Sequence, residues 1–166
     1  GLNIDLDQKN IDLFNIARPN DINLCLAISS EIKEKNLYFY HEGSPINSLS
    51  SKLSNYKKDK PFIKNVSAEL LENVLKKFNI KSFDYINIDV EGHEFEVLKN
   101  FDIQLYKPKV VSVEYLDFTM NKLEFKNNKL ENVIESELYK YFIKNNYFFV
   151  NWTHSDLIFV HKDFRD

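Results

Sequence analysis

Short apolar runs alternate with amphipathic stretches along the whole chain. Leu2-Asn3-Ile4-Asp5-Leu6 reads as a strand ending in an acid, and Gln8–Arg18 carries Ile11, Phe14 and Ile16 at roughly helical spacing. Pro19-Asn20-Asp21 stops that helix. Ile22–Ser29 reads as a second strand and Leu37–Tyr40 as a short aromatic one. A polar, serine-rich loop from His41 to Leu53 follows. Ser67–Phe78 is predicted as an amphipathic helix, with Leu70, Leu71, Val74, Leu75 and Phe78 on one face and Ser67 as N-cap. Tyr85–Val90 is a strand, Glu94–Phe101 a helix, and Lys109–Leu116 a strand after Pro108. Glu131–Asn145 is a helix with Val133, Ile134, Leu138, Tyr141 and Phe142 inward. Tyr147–Asn151 and Leu157–His161 close the chain as an antiparallel pair. This alternation predicts an α/β fold with a mainly parallel sheet, in one domain over residues 1–166, without repeat or linker.

Composition narrows the picture. The length of 166 residues suffices for one full core. The net charge of −3, with lysines interleaved among acids, argues against a nucleic-acid face. No run reaches the ~20 apolar residues of a membrane span. Cys25 is the single cysteine, which excludes an intrachain disulfide and points to a reducing, cytoplasmic location. Only Gly1, Gly43 and Gly92 exist, so no G-x-G cofactor turn is present. A dinucleotide-dependent oxidoreductase is disfavoured on that ground.

The chemistry gathers at strand ends. Ligands of open α/β sheets bind beyond the carboxyl ends of the strands. Asp5 stands at such an end and suits two ribose hydroxyls, since a carboxylate offers only acceptors. It suits a helix N-cap equally well, as does Asp7. In Ile86-Asn87-Ile88-Asp89-Val90-Glu91-Gly92-His93-Glu94, alternation puts Asn87 and Asp89 on one face, where both need partners. Asp89 fits either a ligand contact or a cap for the next helix. Glu114 falls late in the next strand, on the same rim, where it could help take a hydroxyl proton. Glu91, His93 and Glu94 only superficially resemble a metal cluster. No second histidine stands four residues on, and no metal is expected. His154 and His161 read as surface or closing-strand residues. Trp152 and the aromatics from Tyr139 to Phe149 read as core.

Together these segments resemble the FkbM family of S-adenosylmethionine-dependent methyltransferases. Gly1-Leu2-Asn3-Ile4-Asp5 resembles its G-x-N-I-[DE] strand. Arg18-Pro19-Asn20-Asp21-Ile22-Asn23-Leu24 with Ala27-Ile28-Ser29 resembles its next strand region. Asp84–Glu94 resembles its I-D-V-E-G-x-E signature, and Leu98-Lys99, Lys107-Pro108-Lys109-Val110 and Glu114 its next helix and strand. The resemblance implies a Rossmann-like methyltransferase sheet, mostly parallel with an antiparallel last strand. It implies S-adenosylmethionine as cofactor and a small-molecule or glycan hydroxyl as acceptor. On this mapping Asp5 holds the ribose, Ala27, Ile28 and Ser29 lie along the adenine, and Asp89 faces the transferring methyl. Glu91, His93 and Glu114 border the acceptor with Asp89. Two positions depart from the pattern: Asn87, where the family often has lysine, and Leu70, near its usual threonine. The family's first strand, cofactor loop and first helix, roughly 30 residues, have no counterpart in these 166. That absence leaves two inner strand edges unpaired, and the expectation is that this chain is the C-terminal part of a longer catalytic domain; the alternatives are a short protein whose sheet closes differently, by pairing the flanking strands or as a homo-oligomer through those edges, and a degenerate non-catalytic α/β module acting in assembly or binding.

Overall fold

The computed structural model describes residues 1–54, 60–118 and 129–165. Strand β1 (Leu2–Asp5) leads through helix α1 (Gln8–Ala17) to β2 (Ile22–Cys25), and β1 and β2 pair in parallel with Asp5 opposite Cys25. The expected strand Ile22–Ser29 is split. At Leu26 the backbone N–H donates to Asp5 O at 2.9 Å, and the next two residues, β3 (Ala27–Ile28), join a different sheet. That sheet has the order β3-β5-β4, with β4 at Lys33–Phe39 and β5 at Phe62–Glu69. A one-turn helix, α2 (Ser51–Ser54), lies in the serine-rich segment between them.

Strand β5 overturns the expected helix start at Ser67. Residues 62–69 pair antiparallel with all of β4, from Lys33↔Ala68 to Phe39↔Phe62. Helix α3 runs only from Leu71 to Lys77. Ala68 and Glu69 are good helix formers locally, but seven cross-strand pairs outweigh propensity. Glu69 serves the helix start, its Oε1 accepting from Leu70 N and Asn73 Nδ2 at 2.8 Å each. Ser67 instead donates its hydroxyl to Glu34 across the sheet.

The second half follows the expected order. Strand β6 (Tyr85–Ile88), helix α4 (Glu94–Leu98), a short helix α5 (Ile103–Tyr106) and strand β7 (Val110–Glu114) come in succession. Helix α5 fills the connection before Pro108, capped by Asp102, which accepts from Gln104 N and Leu105 N. The expected helix Glu131–Asn145 is two helices, α6 (Leu130–Glu135) and α7 (Glu137–Lys144). Ser136 between them is extended. Its Oγ donates to Val133 O at 2.6 Å and accepts from Tyr139 N at 3.1 Å, capping α7. A Ser136→Ala variant is therefore expected to lose about 1 kcal/mol of stability, read as a lower urea midpoint. An unchanged midpoint would show that the cap contributes nothing.

Strands β8 (Tyr147–Thr153) and β9 (Asp156–His161) form the expected antiparallel closing pair, and the second sheet runs β6-β7-β9-β8. The antiparallel last strand is present: β9 opposes both β7 and β8. A mostly parallel sheet is not what the described residues form. Three strand pairs are parallel (β1–β2, β3–β5, β6–β7) and three antiparallel (β4–β5, β7–β9, β8–β9), in three separate sheets. The β4–β5 ladder is the addition that strand–helix alternation did not reveal.

The core lies around β6, β7 and β9. Val111, Val113, Leu157 and Phe159 are fully buried against Leu98, Val133 and Phe142. Phe142 stacks on Phe159 with ring centroids 4.4 Å apart. Trp152 packs edge-on against Tyr115, and Tyr139, Tyr141, Phe142, Tyr147 and Phe149 join the core as expected, whereas Phe148 faces outward on β8 and is exposed. His161 is wholly buried in β9, whereas His154 sits exposed in the β8–β9 turn. This packing holds the ends of β6, β7 and β9 side by side, which fixes the rim where the acids converge. No described helix is long and apolar enough to cross a membrane.

Candidate functional site

A cavity of ≈ 1100 Å³ lies between β1 and β6. Consecutive residues of both strands line it: Leu2, Asn3, Ile4 and Asp5 on one side, Tyr85, Ile86, Asn87 and Ile88 on the other. Side chains alternate across a strand, so a cavity touching every residue meets the strand edge. Strand β1 pairs only with β2, and β6 only with β7, among the described residues. The two free edges therefore face each other across this space.

Among the described residues, Asp5, Asp21, Asp89 and Asp156 open onto it, with Arg18 as the cationic side chain in the wall. Asp5 at the end of β1 accepts from Asp7 N at 2.7 Å through Oδ1 and from Asn10 Nδ2 at 2.9 Å through Oδ2. Asp7 is the true N-cap of α1, accepting from Lys9 N at 3.0 Å. Asp5 thus orders the strand-to-helix turn and keeps a lone pair on each oxygen toward the cavity. Ala27 and Ile28 line the same cavity. Ser29 lies behind that wall, 1% exposed, with its Oγ 3.0 Å from His93 Nε2.

The turn after β6 is built by Glu94. Its buried carboxylate accepts from Gly92 N at 2.8 Å and Val90 N at 3.2 Å. Glu91 and Gly92 are both left-handed, at φ 55° and 85°. Glu91 O accepts from Ser48 Oγ at 2.6 Å, tying the turn to the serine-rich segment. Burial pushes the Glu94 carboxyl up to about 7, despite the amides that favour its ionised form. His93, at the start of α4, is pushed down by burial, so its imidazole is neutral near pH 7.

Asp89, Glu91 and Glu114 converge here, each with a carboxylate oxygen within 4.8 Å of the others. Glu114 ends β7, is 6% exposed, and is raised to about 9 by burial and then by the charges of Glu91, Asp89, Glu94 and Asp156. Asp89 is raised by burial and by Asp156, against a hydrogen bond from Glu114 that lowers it. Asp89 and Glu114 are thus a hydrogen-bonded pair of carboxyl groups, both raised above their ordinary values. Of the four expected acceptor-side residues, Asp89, Glu91 and Glu114 come together; His93 turns toward Ser29. Asp156 is the acid that sequence reasoning missed. It stands directly opposite Glu114 in the β7–β9 ladder, a relation visible only in the strand register.

Strand-end acids opening onto one cavity are the arrangement of an open α/β domain. The chain belongs to the FkbM methyltransferase family: the family described as Methyltransferase FkbM domain matches residues 3–141. No curated protein and no solved structure matches the chain.

Proposed function

We propose that this chain carries S-adenosylmethionine-dependent methyl transfer to a hydroxyl oxygen, with a sugar or other small molecule as acceptor. The observation that carries the reading is that Asp5 and Asp89, 84 residues apart in sequence, open onto one cavity large enough for a nucleoside. The residues fit the cofactor. Asp5 has acceptor capacity for ribose hydroxyls, Ala27 and Ile28 offer apolar contact, and an acidic wall favours a cation. The cofactor would supply an electrophilic methyl carbon on a positively charged sulfur.

On this reading Asp89 would orient the acceptor hydroxyl and take its proton, while the cofactor would supply the methyl group. Asp89 suits that role because it opens onto the cavity and is hydrogen-bonded to Glu114. Glu91 borders the acceptor from the left-handed turn. His93, backed by Ser29, sets that turn's helix start. A strand laid between the free edges of β1 and β6 would complete a Rossmann-like sheet and bring backbone amides to the cofactor's carboxylate. We place the protein in the cytoplasm, on its single exposed cysteine.

Calorimetry with S-adenosylhomocysteine tests the reading. The 166-residue chain is expected to bind weakly, because no described loop offers a free cluster of amides for the carboxylate. Asp5→Ala is expected to weaken what binding there is by roughly tenfold, the loss of a charge-assisted hydrogen bond. Binding that ignores Asp5→Ala and Asp89→Ala alike would place the ligand elsewhere. A complete absence of binding, together with self-association through the β1 and β6 edges, would favour the non-catalytic assembly module.

A further inference from the structure

The acids at the ends of β6 and β7 form a cluster that the transfer reaction does not by itself require. Asp89, Glu91 and Glu114 come from two strands and a left-handed turn, and bring one oxygen each within 4.8 Å of the others. Among the described residues no lysine or arginine pairs with Asp89 or Glu114. The charges of Glu91, Asp89, Glu94 and Asp156 all bear on Glu114. Its Oε2 is buried and has no hydrogen-bond partner, although the residue is 94% enclosed, at 6% exposure. A buried carboxylate oxygen left without a donor is costly, and a cation is the partner such a site lacks.

We infer that Asp89, Glu91 and Glu114 form a binding site for a hard divalent cation. The donor set is three carboxyl groups, all oxygen, which suits calcium, magnesium or manganese over zinc or copper, and a bound cation would displace any proton on Glu114. The three oxygens lie within 4.8 Å of one another, close enough for one ion to draw them together. Asp89 faces the cavity and Glu91 is half-buried, so water can complete the coordination from the open side. The two glutamates are held in place independently: Glu114 by the β7–β9 ladder, and Glu91 by the turn that Glu94 and Ser48 tie down. Bound there, the cation would neutralise the acid cluster and could receive an acceptor hydroxyl. Its binding does not rest on methyl transfer.

Calcium titration of the 166-residue protein by calorimetry tests this, with terbium luminescence sensitised by nearby aromatics such as Tyr115 as a second probe. One saturable site is expected, with a dissociation constant on the order of 10⁻⁴ M. Glu91→Gln and Asp89→Asn should each weaken calcium at least ~10-fold while the far-UV circular dichroism stays unchanged. Glu114→Gln should abolish binding; should it fail to fold, the other two variants decide. Absence of saturable binding at millimolar calcium overturns the inference. So does equal affinity in wild type, Glu91→Gln and Asp89→Asn, which would mean diffuse attraction to an acidic surface. Parallel titration with S-adenosylhomocysteine separates the two proposals, since calcium binding is expected with or without it.

Discussion

Alanine at Gly92 is expected to lower stability by about 2–4 kcal/mol, more than any surface substitution in this chain. Two effects add. Gly92 sits at φ 85°, a conformation that residues with a Cβ rarely hold. A Cβ built there would also lie 2.6 Å from Phe118 Cζ and 3.0 Å from Cε2. The preceding Glu91 is already left-handed at φ 55°, so the turn has no neighbouring freedom to absorb the change. The midpoint of thermal unfolding should fall by roughly 5–15 °C. Repeating the substitution in a Phe118→Ala background separates the causes, because removing the ring relieves the collision and leaves the backbone strain. Equal melting of wild type and Gly92→Ala would show that the turn relaxes freely. The consequence reaches the site, since this turn places Asp89 and Glu91.

Removal of the Glu94 carboxylate is expected to have a comparable effect, with a distinctive pH signature. Glu94→Ala leaves the amides of Val90 and Gly92 without their acceptor and opens a void beneath the turn. The loss should be about 2–5 kcal/mol. Glu94→Gln keeps a carbonyl oxygen for those amides and should cost less than about 1.5 kcal/mol. The pH dependence follows from the raised carboxyl, at about 7 against a usual 4.5. The folded protein then holds the Glu94 proton more tightly than the unfolded chain does. Stability from this group is complete below the unfolded value and declines as pH rises from about 4.5 through about 7. Its share is roughly 3 kcal/mol at most, by the usual conversion. Glu94→Gln cannot titrate, so its stability should fall less than wild type over that interval. Urea melts of both proteins across the range check this, and parallel pH profiles would refute the assignment.

Much of the site was legible before any tertiary contact was known. Asp5, Asp89 and Glu114 each end an apolar run, and a strand end is where an acid escapes the cost of full burial. Polarity at Asn87 and Asp89 announced a face that needed partners. The helix from Ser67 was misread because Ala68, Glu69 and Leu70 have helical preference, while the β4 ladder that claims Phe62–Glu69 lies up to 35 residues upstream, at Lys33↔Ala68. Ser136 looked like one more helix residue. Its break shows only in the backbone turn that frees its hydroxyl to cap α7. Asp156 was unreadable as a site residue because its meaning is its register opposite Glu114.

The amino-acid sequence by itself determined the order of elements, the acids at the strand ends and membership of the FkbM family. These depend on local periodicity and on motif spacing, both written along the chain. Only the tertiary structure decided which acids meet. It joined Asp89, Glu91 and Glu114 into one cluster, sent His93 to Ser29, and set the free edges of β1 and β6 across a shared cavity. The physical reason is that a carboxylate's charge state and partners depend on distance, burial and strand register. Those quantities arise from contacts between residues far apart in the chain.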